Sequence, residues 1–141
     1  RGFPGNSISH PNSFFVPGHN SRVFMGGECD FVSSIGYNTA RLPKGHSLDD
    51  VDIRLVVTNL CVMDFRGPDH QMRLVSLHPG VPVDHVQENT GFELHIPRSV
   101  PTTPAPTQEQ LDIIAALDPH NQRAFQIKDN PPGDPAAASA G

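Results

Sequence analysis

The chain has 141 residues, a mass of 15.3 kDa and a formal net charge of -5 at pH 7, enough for one domain with a modest core. With 6% aromatic residues and no Trp, that core must be mainly aliphatic. The acidic balance supplies no basic stripe for nucleic acid. No apolar run approaches the ~20 residues a bilayer span needs, and no signal-peptide pattern opens the sequence. A soluble, cytoplasmic protein is expected, with neither a membrane nor a nucleic-acid partner.

Residues 1–12 hold Gly, Pro, Asn and Ser at loop density. Arg1-Gly2-Phe3-Pro4-Gly5-Asn6 reads as a loop and not as the lead-in to a domain, so the sequence is expected to be the C-terminal part of something longer. Ser13–Val16 is a short strand stopped by Pro17-Gly18, and Arg22–Met25 is a second short element before Gly26-Gly27. Cys29–Gly36 reads as a strand. Residues 38–52, polar and punctuated by Pro43 and Gly45, read as a surface excursion.

The organising stretch follows. Arg54–Phe65 is apolar and β-branched enough for one strand buried on both faces. The turn Arg66-Gly67-Pro68-Asp69-His70 then returns the chain as a second strand in the run Met72–Gly80. Pro82 opens a short helix at its first turn, with Val83, Val86 and Gln87 on one face and Gly91 as its cap. Phe92–Ile96 alternates with period two, as a half-buried strand does. Val100–Pro106 is a Pro/Thr linker. Thr107 caps a last helix, with Gln110 completing a capping box. Leu111, Ile114 and Leu117 form its buried face, and Pro119 stops it. Strands interleaved with short helices give an α/β fold. The domain is expected over residues 1–119, with a disordered tail over 120–141, where large apolar groups are scarce.

Cys29 and Cys61 each sit in an apolar run and read as reduced core thiols; a disulfide is the lesser alternative. His70, His78, His85 and His95 show no metal-ligand spacing, so no metal is expected. Among the glutamates, Glu88 and Glu109 fall on solvated helix faces and Glu93 points outward from a strand. Glu28, after Gly26-Gly27, is the least easily dismissed. Gly2–Ser7 has the composition of a loop whose N–H groups can converge on an oxyanion, and equally of a plain turn. Asp69-His70 beside Gly67-Pro68 can set an acid and an imidazole in a cleft, or simply tip a tight turn.

Thr58–Phe65, Met72-Arg73-Leu74, His78-Pro79-Gly80-Val81 and Glu88–Leu94 resemble the C-terminal half of β-subunits of class I CoA-transferases. Arg1–Asn6, His19, Arg22-Val23-Phe24, Ser34-Ile35-Gly36-Tyr37 and Gly67–Arg73 resemble one branch of that family, the actinobacterial steroid-ring-opening CoA-ester hydrolases. The resemblance spans residues 1–119. It implies a CoA-transferase-like fold, the C-terminal part of a mixed or parallel sheet with flanking short helices. It also implies a heteromer whose α-subunit belongs to the same family, and an acyl-CoA substrate. No cofactor is permanently bound, coenzyme A arriving as part of the substrate.

The site the resemblance implies has oxyanion donors at Gly5 and Asn6. Gly2, Pro4, Ser7, His19, Asp69 and His70 contribute to substrate binding. Pro4-Gly5-Asn6 replaces the glycines of the transferase loop, which favours hydrolysis over CoA transfer. No glutamate here matches the family nucleophile, so the reactive carboxylate is expected on the α-subunit. The alternatives are a true CoA-transferase subunit and a non-catalytic subunit that supports its α partner.

Overall fold

The computed structural model describes residues 3–27, 29 and 31–119. Four strands form one mixed sheet in the order β1 (Asn12–Val16), β2 (Ile53–Thr58), β3 (Cys61–Asp64) and β4 (Arg73–Leu77). β1 runs parallel to β2, with Phe14 opposite Val56, while β2–β3 and β3–β4 are antiparallel. Among the described residues, three α-helices accompany the sheet: α1 (Phe3–Ser9), α2 (Val83–Glu88) and α3 (Gln108–Leu117). The α/β class and the mixed sheet agree with the sequence reading. Among the described residues, no helix is long and apolar enough to cross a membrane.

Several local expectations are corrected. The single long strand expected over Arg54–Phe65 is a hairpin. Thr58 breaks it: its hydroxyl accepts the N–H groups of Leu60 and Cys61 at 3.0 and 3.1 Å. The backbone thereby folds back through Asn59-Leu60, and β3 pairs with β2 through Val56–Met63 and Val57–Val62.

The opening segment is not a loop from Phe3 onward but the short helix α1. Pro4 is tolerated in a first turn, and the Ser9 hydroxyl donates to the Gly5 carbonyl at 2.8 Å. Arg1 and Gly2 lie outside the described residues. Arg22–Met25 contains a turn and no regular element.

Neither the described residues of Cys29–Gly36 nor Phe92–Ile96 form a strand. In the first segment Phe31 is 83% exposed and Cys29 is exposed; strand propensity makes no strand without an edge to pair with. Cys29 is therefore not a core thiol, whereas Cys61 is. The second segment lies along the outer edge of β4 and touches it at single points. His95 exchanges bonds with Met72 and Leu74 at 2.9 and 3.0 Å, and Leu77 bonds Pro101 and Thr103 at 3.0 and 2.7 Å. Pro97 lies between those contacts, Pro101 makes one of them through its carbonyl, and neither has an N–H to extend a ladder.

The core sits on the β2–β4 face, where Val56, Cys61, Met63 and Leu74 meet Val86 of α2, Leu94 and Phe24. Pro82 is the N-cap of α2 and Asn89, not Gly91, its C-cap. Gly91 serves a different need, because a Cβ there would lie 2.8 Å from the Phe24 carbonyl and 2.7 Å from the Gly26 nitrogen. The capping box of α3 forms as expected, Thr107 and Gln110 bonding each other's backbone at 2.9 and 3.2 Å. Its apolar face is not buried, however: Leu111, Ile113, Ile114 and Leu117 are all exposed. The tail over 120–141 falls outside the described residues.

Candidate functional site

Parallel pairing of β1 with β2, and antiparallel pairing of β2 with β3, give the sheet two chemically distinct ends. α1 leads into β1, and the Asn12 N–H donates to the Asp52 carbonyl at 2.8 Å. The Pro68–His70 turn follows the end of β3, where Asp64 pairs with Arg73. Gly5, Asn6, Asp69 and His70 therefore belong to one end of the sheet, the end at which β1 and β2 start. His19 belongs to the other, beside Thr58 at the end of β2. The strand rise of ~3.3 Å per residue puts roughly 15–20 Å between the two ends. His19 thus stands apart from the other expected site residues.

At the first end, Gly5 and Asn6 are exposed in the first turn of α1, and Ser7 is buried. Pro4 lies in the same turn. The Asn6 carbonyl accepts from the Asn12 side chain at 3.2 Å and from the His10 N–H at 3.2 Å.

Across the sheet, a cavity of 690 Å³ is lined by Tyr37, Phe65, Arg66, Asp69 and His70 among others. Asp69 and His70 hold φ of 50° and 60°, a left-handed conformation that costs non-glycine residues roughly 1–2 kcal/mol each. Gly67 makes the turn possible: a Cβ there would meet the Gln71 carbonyl oxygen at 2.5 Å and His95 Cβ at 3.1 Å. The His70 ring lies on Tyr37, centroids 4.2 Å apart and planes 3° apart. The Tyr37 hydroxyl accepts the Ile53 N–H at 3.2 Å.

Next to this cavity, Asp64 is buried and gripped by Arg73 through Nε at 3.0 Å and Nη2 at 2.6 Å, and by the Arg66 N–H at 3.1 Å. Burial pushes the Asp64 carboxyl up. The Arg73 fork and the Arg66 contacts outweigh it and hold the group below the usual carboxylate range.

At the second end, His19 is 5% exposed and has a partner on each ring nitrogen. Nδ1 lies 3.1 Å from the Thr58 hydroxyl and Nε2 lies 2.9 Å from the Thr90 hydroxyl. Thr58 Oγ1 already accepts two N–H groups, so it has no lone pair left for a ring N–H and can only donate. The fitting tautomer carries its proton on Nε2 and donates to Thr90, whose hydroxyl donates to the Val86 carbonyl at 2.8 Å. Burial, with a smaller contribution from His85, lowers the pKa of His19 to about 4. Cys61 Sγ lies 3.8 Å from His19 Nδ1, but burial raises its pKa to about 11, so the pair is neutral and not a thiolate–imidazolium dyad.

Of the glutamates, Glu88, Glu93 and Glu109 are exposed, and Glu28 lies outside the described residues. Among the described residues, no group of three or more His, Cys, Asp or Glu is arranged to hold a metal ion. Tyr37 and Arg66 line the same cavity as Asp69 and His70, and their residue types alone do not single them out in the sequence. The Gly67-Pro68 turn signal beside them was the available clue.

No family model matches the sequence. The chain is 43% identical over 129 residues to the cholesterol ring-cleaving hydrolase IpdB subunit of Mycobacterium tuberculosis, covering 91% of this chain and 51% of the relative. The IpdB subunit of Rhodococcus jostii is 44% identical over 128 residues, 90% of this chain and 50% of that protein. The crystal structure of Rhodococcus jostii IpdAB superposes with a TM-score of 0.80, covering 91% of this chain and 51% of that one. Glutaconate coenzyme A-transferase from Acidaminococcus fermentans gives a TM-score of 0.67 at 27% identity, over 81% of this chain and 44% of that one. The chain thus spans about half the length of the curated relatives it matches. Sequence and fold agree over the matched half: the chain is similar to IpdB and to CoA-transferase B subunits and shares the fold of the CoA-transferases.

Proposed function

We propose that this chain forms part of the β-subunit of a heteromeric hydrolase that cleaves a C–C bond in a cyclic ketone CoA ester during steroid-ring degradation. The observation that carries the reading is its 43% identity over 129 residues to IpdB subunits. The proposed partner is an α-subunit of the same family, the substrate is an acyl-CoA, and the setting is the cytoplasm. No cofactor is permanently bound.

In such a substrate the ring ketone and a neighbouring carbonyl weaken the bond between them. Water activated by a carboxylate, or the carboxylate itself, adds to the ketone carbon and leaves an oxyanion. Collapse of that adduct breaks the C–C bond, and the electron pair passes into the enolate of the neighbouring carbonyl, which is then protonated; where the carboxylate itself has added, water then hydrolyses the resulting anhydride to the product acid and the free carboxylate. In this reading the carboxylate is the α-subunit's. The chain supplies the Gly5 and Asn6 amides to the oxyanion, with Ser7 in the same helix. Of the two, the Gly5 amide lies among the first donors of the helix, which lack intrahelical acceptors and are suited to the task. Asp69 and His70 contribute to the wall at the same end of the sheet. His19 acts from the opposite end, by fixing the strands.

The test is to assay the assembled complex with a cyclic β-diketone CoA ester. Ring-opened product still bearing CoA is expected. Exchange of labelled CoA onto an acceptor acid would replace hydrolysis by transfer, a second reading supported by 30% identity over 96 residues to one subunit of the glutaconate CoA-transferase of Acidaminococcus fermentans.

A further inference from the structure

The turn after β3 combines backbone strain with an exposed ring. Asp69 and His70 both have positive φ, and the Gln71 N–H closes on the Pro68 carbonyl at 2.8 Å. Together these make a type I′ turn, whose usual occupants are Asn-Gly or Asp-Gly. A turn selected for stability alone would hold glycine at position 70. Here the residue is a histidine, seated flat on Tyr37.

Tyr37 is itself fixed, by the Ile53 N–H on its hydroxyl and by Phe65 tilted against its ring at 5.4 Å. Arg66, on the same cavity, has an 80% exposed side chain whose Nε stands 4.0 Å from Asp64. Both oxygens of that carboxylate are already held by Arg73. The cavity therefore presents a planar ring beside a loosely paired cation. Of the neighbouring charges, Arg54 is tied to Asp52 at 3.1 Å, and Asp69 borders the opening.

We propose that this groove binds the purine–phosphate end of coenzyme A, the purine stacking on His70 and a phosphate pairing with Arg66, with Tyr37 positioning the imidazole. The inference rests on the acyl-CoA reading above. An aromatic ring accepts any purine face, and a guanidinium matches phosphate geometry. The same chemistry is offered by a free nucleotide, so the source is part of the test.

The experiment is calorimetric titration of the complex with adenosine 3′,5′-bisphosphate, with adenosine and with ATP. The bisphosphate is expected to bind. His70→Gly weakens it by about tenfold while the thermal midpoint holds or rises. Arg66→Gln weakens the bisphosphate by about tenfold and leaves adenosine unchanged. Tyr37→Leu follows His70→Gly, and Tyr37→Phe retains affinity.

Unchanged affinity in both His70→Gly and Arg66→Gln overturns the proposal. So does tighter binding of ATP than of the bisphosphate, which gives the groove to free nucleotides. CoA-ester turnover without bisphosphate binding removes the groove and leaves the reaction standing. Bisphosphate binding without turnover does the reverse.

Discussion

Nδ1 of His19 lies 3.1 Å from the hydroxyl of Thr58, the same hydroxyl that closes the β2–β3 hairpin. One imidazole thereby joins three segments distant in sequence. Its other nitrogen reaches Thr90 after α2 at 2.9 Å, its own N–H donates to the Asn59 side chain at 2.7 Å, and its ring stacks on Phe24 at 4.3 Å. The junction works only with a neutral ring, because Thr58 has no acceptor capacity to spare.

This neutrality makes stability depend on pH. The folded pKa of about 4 lies below the ordinary histidine value of 6.5, so between those values the unfolded chain binds a proton that the folded chain refuses. Stability is full above pH 6.5, falls as the pH drops toward 4 and changes no further from this group below that. The loss is on the order of 3 kcal/mol. Urea unfolding as a function of pH measures it. His19→Leu lowers stability at pH 7 by about 1–3 kcal/mol by removing the ring's hydrogen bonds to Thr58 and Thr90, and it flattens the slope across the acid range in which His19 titrates. An unchanged slope in the variant would assign the acid sensitivity to another group.

Asp64 and Arg73 are directly opposite one another in the β3–β4 pairing. Arg73→Met leaves a buried carboxylate without its fork and destabilises the fold at neutral pH. The folded pKa of Asp64 is depressed, so the stability gained from the pair is present above the unfolded value of ~3.9 and is lost as the pH falls through the folded one. Denaturation curves of variant and unsubstituted chain are expected to converge under strong acid.

The two thiols are expected to react in sequence. Cys29 is exposed, whereas Cys61 is fully buried with its pKa raised to about 11. A chromogenic disulfide at mildly alkaline pH will titrate one thiol in the folded chain and the second only after denaturant is added. Two fast equivalents under native conditions would contradict the packing around Cys61.

Val86 and Leu117 have similar apolar character and opposite surroundings, at 0% and 81% exposed. Val86→Ala should cost roughly 2 kcal/mol through the cavity left between α2 and the sheet. Leu117→Lys should change stability by less than ~0.5 kcal/mol. Thermal melts of the two variants make the comparison directly.

Local chemistry alone determined much of this protein. The capping box of Thr107 and Gln110, the Pro82 start of α2 and the Gly67-Pro68 turn each depend on groups within a few residues of one another. Their backbone bonds can be counted along the chain. The motifs that resemble β-subunits of CoA-transferases were legible for the same reason, as short runs in a fixed order.

Only the tertiary structure decided which apolar runs found a partner. Cys29–Gly36 and Phe92–Ile96 have strand-like composition, but a strand needs a neighbouring edge, and the prolines along β4 break the one available to the second. Leu111, Ile114 and Leu117 have the spacing of a buried face, yet burial depends on what stands opposite. The site divided along the same line. Residue types pointed to Asp69 and His70, but pairing set them at the α1 end of the sheet and sent His19 to the other. Strand direction is fixed by contacts between residues far apart in sequence, and no local pattern encodes it.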